Sequence, residues 1–304
     1  MTDLPGTPAV LDRAEIRRLR RAARYRSWGD SYTLWRRNPI TVAGTLIIVF
    51  LVLVAAAAPL LATHDPYNQI LSDRLLPPSA EYWFGTDNLG RDIYSRIVYG
   101  SRLTILIAVL VALISGPIGL LVGVLAGYVG GATDEVLMRL SDIFLAFPKL
   151  ILAIAFAAAL GTGLENMIIA ISVANWPGYA RLVRAETLAI RNSDYIQAIR
   201  VLGASHARIM LRHVTPMCFS TLIVRVSLDM GAIILIAAGL GFLGLGAQPP
   251  APEWGLMVSD GRNYLVDQWW VSTLPGMAIL IVVLGFNLLG DGIRDILDPR
   301  QRQG

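Results

Sequence analysis

Few residues in this chain could make or break bonds. Its 304 residues include three histidines, His64, His206 and His213, one cysteine, Cys218, and one lysine, Lys149. A phosphate-binding P-loop needs Gly-x-x-x-x-Gly-Lys-Ser/Thr. Lys149 stands instead in "AFPKL", so nucleotide is not bound here in that way. The histidines lack the spacing to acidic or cysteine partners that a metal site requires. Neither a Gly-x-Ser-x-Gly elbow nor a zinc-protease helix occurs. No residue is nominated as catalytic, as a metal ligand or as a cofactor ligand. Cys218 cannot form an internal disulfide and reads as a small apolar residue at a helix start.

What remains is charge in unexpected places. Arg225 and Asp229 interrupt a long apolar stretch. Four residues apart, they share a helix face. They lie roughly 14 and 20 Å along a helix that starts near Pro216, close to mid-membrane if that helix crosses a bilayer. A charge there costs about 2.5–3.5 kcal/mol on insertion scales, so such residues face a cavity or a protein partner. Two readings stand: a self-sufficient pair that holds the bundle, or a substrate path that meets the amine and carboxylate of a zwitterion. The second concentration of charge is "YIQAIRVLGASHARIMLRHVTP", Tyr195–Pro216, with three arginines, two histidines and a central glycine between apolar stretches. Asn192, Ser193 and Asp194 can cap a helix from about Tyr195 to Leu202. Gly203 suits a sharp turn, and a second helix covers Ser205–His213. Pro216 is tolerated in the first turn of the fifth span. A helix–turn–helix with a rigid exit can pass force from a soluble partner to a bundle.

The elements that position these residues are membrane helices. The chain is 55% hydrophobic and 16% charged, with a mean hydropathy of +0.56. A soluble domain has about 25% charged residues. The stretches 40–62, 103–127 and 271–290 are uncharged and long enough to span, since about 20 apolar residues cross the hydrocarbon core. Less clean spans are expected at 143–160, 166–183 and 214–247. The fold class is therefore an all-α membrane protein with six transmembrane helices, residues 40–304, behind a basic segment, residues 1–39. That segment carries Arg13, Arg17, Arg18, Arg20, Arg21, Arg24, Arg26, Arg36 and Arg37, which places it on the cytoplasmic side. With six spans the C-terminus is also cytoplasmic. Loop 181–213, with six arginines, then faces in, and loop 248–270, with Arg262 against Glu253, Asp260 and Asp267, faces out. The first apolar run is longer than a signal-peptide core and reads as an uncleaved span. Residues 11–28 are read either as a basic helix on anionic lipid or as a tail that sets topology. Gly116, Gly119, Gly123 and Gly127 form a stripe suited to helix packing. Trp254, Trp269 and Trp270 read as interfacial anchors. The mixed-charge run Phe84–Gly100 reads either as a contact for a protein partner or as an interfacial helix with Trp83, Phe84, Tyr94 and Tyr99 at headgroup level.

The Tyr195–Pro216 segment resembles the coupling motif of ABC importer permeases: Glu-Ala-Ala, three residues, Gly, nine residues, Ile-x-Leu-Pro. Gln197-Ala198-Ile199, Gly203 and Pro216 match its spacing, with Gln197, His213 and Thr215 as departures. "WFGTDNLGRDIYSRIVYGSR", "LMRLSDIFLAFPKLILAI", "GLGFLGLGAQPPAPEWG" and "NLLGDGIRDILDPR" resemble the dipeptide/oligopeptide/nickel group, C-type subunit. The resemblance implies a permease of the bacterial inner membrane, multi-pass, with a cytoplasmic coupling helix between spans four and five. It implies coupling through Tyr195, Gln197, Ala198, Arg200, Gly203, Ala204 and Pro216. It further implies a second homologous permease, two cytoplasmic ATPases holding ATP and Mg, and an external substrate-binding protein. Nickel, glutathione or opines are alternative cargoes of the same fold. An ion-coupled carrier acting alone is the alternative from another class, but paired acidic residues within spans and inverted repeats, its expected marks, are not evident. Nothing in the sequence suggests nucleic acid.

Overall fold

The structure is a computed structural model that describes Arg36 and residues 38–297. The proposed basic helix at 11–28 lies outside the described residues. Those residues are almost wholly helical, with one isolated β-bridge between Thr86 and Asp92. In chain order the helices are α1 (Pro39–Ala56), α2 (Ala58–Leu61), α3 (Ile93–Val129), α4 (Gly131–Leu145), α5 (Lys149–Leu160), α6 (Leu164–Arg191), α7 (Asp194–Val201), α8 (His206–Ile209), α9 (Thr215–Phe242), α10 (Trp254–Gly261) and α11 (Trp270–Leu297).

Four helical stretches are long and apolar enough to cross a membrane: α1, α3, the continuous run His206–Phe242, and Trp270–Arg294 of α11. The pair α4 and α5 makes a fifth if read as one broken span, bent by 92° at its break. Pro148 precedes α5 there, and the residue before a proline is driven out of helical geometry. Helix α6 is long enough, at roughly 42 Å, but its composition is too polar. It carries Asn166, Asn175, Arg181, Arg184, Glu186 and Arg191. Half its residues are buried, a share similar to that of α3, and few of the rest are fully exposed. A helix sheathed by other helices needs no lipid-compatible surface. Two of its buried polar side chains turn back on their own backbone: Ser172 Oγ donates to Ile168 O at 2.7 Å and Asn175 Nδ2 to Ile171 O at 2.9 Å.

Glycines set the central seam. A Cβ on Gly123 would lie 2.5 Å from Ala180 O, and one on Gly127 2.8 Å from Thr187 Cβ. Gly119 meets Tyr179 and Trp176 as closely. The stripe therefore packs α3 onto α6, backbone to backbone. Gly116 takes no part, since its nearest neighbour is Val226 Cγ2 at 3.8 Å.

Helix α3 starts ten residues before the expected span. Its first turns are not an exposed amphipathic run. Asp87, Arg91, Asp92 and Arg96 are all nearly inaccessible. Arg91 Nε donates to Asp87 Oδ2 at 2.6 Å, and Arg91 also faces Asp260 at 3.6 Å. Arg96 donates to the carbonyls of Pro66 and Pro250. These charges are largely paired, although Asp92 Oδ1 and Arg96 Nε make no hydrogen bond, and they bind segment 63–92 to the loop before α10. The tryptophan expectation is corrected in part. Trp269 is half exposed, but Trp254 and Trp270 are buried. Trp254 packs against Gly100 and donates from Nε1 to Ile97 O at 3.0 Å. A missing Cβ on α3 opens the slot that draws this ring inward.

Candidate coupling hairpin and polar path

The segment between α6 and α9 folds as a hairpin. Ser193 occupies the N-cap position of α7, but its hydroxyl donates backward to Ile190 O at 2.7 Å and makes no side-chain cap. Ile196 is fully buried on the underside of α7, whereas Gln197, Ala198 and Arg200 point outward. At the tip, Gly203 N donates to Arg200 O at 3.0 Å and Ala204 N to Ile199 O at 3.4 Å. These two bonds form a Schellman closure, which requires a left-handed residue at the position of Gly203. Its φ is +80°. The same turn leaves Val201 and Leu202 87% and 84% exposed, and Arg200, Arg208 and Arg212 of the hairpin are exposed as well. An apolar tip so uncovered is a candidate contact surface.

The return leg differs from the expected Ser205–His213 helix. Ser205 caps it, accepting from Arg208 N at 3.4 Å. Only His206–Ile209 is α-helical, and Met210–Val214 is a π-turn. Pro216 supplies the reason. It has no N–H for the carbonyl four residues back, and its ring crowds that carbonyl. The wider turn accommodates both, and Thr215 closes it with N–H and Oγ1 on Met210 O. Ile209 and Val214 are fully buried. They join Ile196 in one apolar cluster with Tyr128, Val183 and Cys218. The hairpin is thus seated on the bases of α3 and α6. Tyr195 and Pro216 are exposed at its two roots, and Ala204 is half-buried.

Arg225 and Asp229 come together on α9. Arg225 Nε donates to Asp229 Oδ2 at 3.2 Å, with the arginine side chain 47% exposed and the aspartate 13%. The hydroxyl of Tyr179 on α6 sits in their field with Ser115 nearby and makes no direct hydrogen bond of its own. Sequence reasoning missed Tyr179, because a tyrosine in a span carries no signal of its neighbours.

It also missed Glu253. This carboxylate caps α10, accepting from Gly255 N at 2.9 Å and Leu256 N at 2.7 Å. It is 3% exposed and packs on Gly241 of α9. Burial outweighs the two N–H groups and pushes its carboxyl up to about 7. Burial also raises Asp260, against the lowering influence of Arg91 and Arg96. Tyr82, bonded to Asp73, is pushed up to about 12. Among the described residues, no group of three or more metal-ligating side chains comes together.

The family described as the binding-protein-dependent transport system inner membrane component matches residues 119–303. The N-terminal TM domain of oligopeptide transport permease C matches residues 27–78. The chain is 50% identical over 263 residues to the probable D,D-dipeptide transport system permease protein DdpC of Escherichia coli (strain K12), covering 86% of this chain and 88% of that one. It is 44% identical to the dipeptide transport system permease protein DppC of Alkalihalophilus pseudofirmus, over 90% of each chain. It is 42% identical to the glutathione transport system permease protein GsiD of Escherichia coli O6:K15:H31, again over 90% of each. A chain of the MetNI methionine ABC transporter, in an inward-facing conformation, superimposes with a TM-score of 0.53 at 22% identity, covering 66% of this chain and 96% of that one; this is a likeness of fold. With its helical membrane architecture and these matches at both ends, the chain belongs to the inner-membrane permeases of binding-protein-dependent ABC importers.

Proposed function

We propose that this chain is the C-type permease of an importer for short peptides, forming half of the translocation pathway. A second homologous permease forms the other half. Two cytoplasmic ATPases hold and hydrolyse ATP with Mg, and an external binding protein delivers the substrate. The observation that carries this reading is the hairpin: a Schellman-closed tip with Val201 and Leu202 uncovered, on a segment with exposed Arg200, Arg208 and Arg212, seated on α3 and α6. The surface suits a partner groove with an apolar floor and an acidic rim. Tyr195, Gln197, Ala198, Arg200, Gly203, Ala204 and Pro216 are its coupling residues. In this reading the hairpin end is cytoplasmic, as are both termini, and six helices span with α6 as the enclosed fourth.

Arg225 and Asp229 line the substrate path. An arginine about half exposed in the middle of a span does not face hydrocarbon, so its open side meets the pathway or the second permease. The substrate is a dipeptide or short peptide, as the names of DdpC and DppC suggest. The resemblance to GsiD keeps glutathione, itself a short peptide, as a second cargo. The test is uptake of labelled dipeptides and glutathione by cells lacking the gene, with and without the restored chain. Restoration of neither would refute the reading.

A further inference from the structure

Two tyrosine–histidine pairs hold the hairpin. Tyr128 Oη, at the end of α3, lies 3.0 Å from His206 Nδ1, and Tyr195 Oη lies 2.9 Å from His213 Nδ1. Both ring pairs meet edge to face, with centroids 5.9 and 5.8 Å apart. Their places in the fold matter. The outgoing leg α7 follows α6 after two residues, Asn192 and Ser193. α6 is itself fixed to α3, since Arg191 Nη1 donates to Gly127 O and Tyr128 O at 3.2 and 2.9 Å. The return leg α8 reaches α9 only through the π-turn Met210–Val214. A π-turn interrupts the regular hydrogen-bond ladder and is a natural place to bend. His206 lies just before that turn and His213 within it. Among the described residues, Tyr128–His206 is the polar side-chain contact from the return leg to α3, and Tyr195–His213 is the one between the two legs.

The geometry points to these pairs as positioning residues of the coupling apparatus: they brace the π-turn, so that displacement of the tip carries α9 together with α3 and α6. Without the braces the return leg flexes at Met210–Val214, and part of the motion is lost before it reaches α9. The pairs act through the hairpin and touch neither nucleotide nor substrate. The inference rests on the ATPase-docking reading above. Tyr128 is buried and lies beneath the hairpin, away from the docking tip, so its hydroxyl can be removed without altering the surface that a partner would contact.

The experiment uses the full importer, with its second permease, ATPases and binding protein, reconstituted in proteoliposomes. Peptide uptake and ATP hydrolysis are measured together for Tyr128→Phe, His206→Asn and His206→Leu. Phenylalanine keeps the ring and removes the bond. Asparagine places an acceptor near the former Nδ1, and leucine places none. Losing one net hydrogen bond changes the braced population roughly fivefold. Peptide carried per ATP should therefore fall up to about fivefold in Tyr128→Phe and His206→Leu and stay near wild type in His206→Asn, while ATP hydrolysis persists. An unchanged ratio in Tyr128→Phe and His206→Leu overturns the brace, as does equal loss in His206→Asn and His206→Leu. If Tyr128→Phe does not assemble, the two His206 variants decide. A wild-type complex without ATP-driven uptake overturns the underlying reading instead.

Discussion

At the residue scale, Arg225 and Asp229 separate two roles that the same ion pair could play. The charge swap Arg225→Asp with Asp229→Arg preserves the pair on one face of α9 and reverses its polarity. A path that reads a zwitterion predicts assembled complexes whose uptake fails or changes specificity in the swap and in both single variants. Recovery of uptake by the swap, with misfolded singles, assigns the pair to structure. Glu253 makes a pH prediction. Its carboxyl is raised by burial, so between the unfolded value near 4.5 and about 7 the folded chain binds the extra proton. Its contribution is largest at low pH and is lost as pH rises through about 7. Thermal stability of the detergent-solubilised complex should fall between about pH 4.5 and about 7 and level off above, and Glu253→Gln should flatten that dependence. A profile identical in the variant would show that another group is responsible. The sequence revealed the Arg225–Asp229 contact because four-residue spacing alone implies it. Tyr179 and Glu253 stayed hidden because their neighbours lie on other helices.

At the element scale, the α3–α6 seam depends on absent side chains. Gly123→Leu drives a side chain into Ala180 O and Val183 and should cost about 1–3 kcal/mol or more, visible as a lower Tm of the purified complex. Gly116→Ala, facing only Val226 at 3.8 Å, should leave Tm nearly unchanged. Gly203 follows a different rule. A Cβ there meets nothing within 4 Å, but φ is +80°. Valine is a genuine outlier in that conformation and asparagine is not. Transport should be lost in Gly203→Val and largely retained in Gly203→Asn, with membrane insertion intact in both. Equal activity of the two would contradict the Schellman assignment. The turn could be read from Gly203 and Pro216, whose backbone constraints are local. The π-turn could not, since it depends on how Pro216 reconciles with the carbonyl of Arg212. The apolar runs of α1, α3 and α11 were legible for the same local reason: hydrocarbon demands them. Helix α6 was only half legible, because enclosure by neighbouring helices removes that demand. The burial of Asp87, Arg91 and Arg96 was not legible, since mixed charge carries no sign of burial.

At the scale of the whole molecule, topology and energy supply are both testable. Glu81 is exposed in the segment between α2 and α3 and suits an accessibility label. In a Cys218→Ser background, Glu81→Cys should react from outside intact cells and Ala207→Cys only after permeabilisation. Labelling of both from one side would overturn the six-span arrangement. The central claim is that this chain converts the work of separate ATPases into peptide movement. The most direct measurement is uptake of a labelled dipeptide into proteoliposomes containing this chain, the second permease, both ATPases and the binding protein, with ATP on the hairpin side. The account predicts uptake that requires ATP hydrolysis and stops when this chain is omitted or carries Gly203→Val. Uptake by this chain alone, driven by an ion gradient and indifferent to ATP, would contradict it.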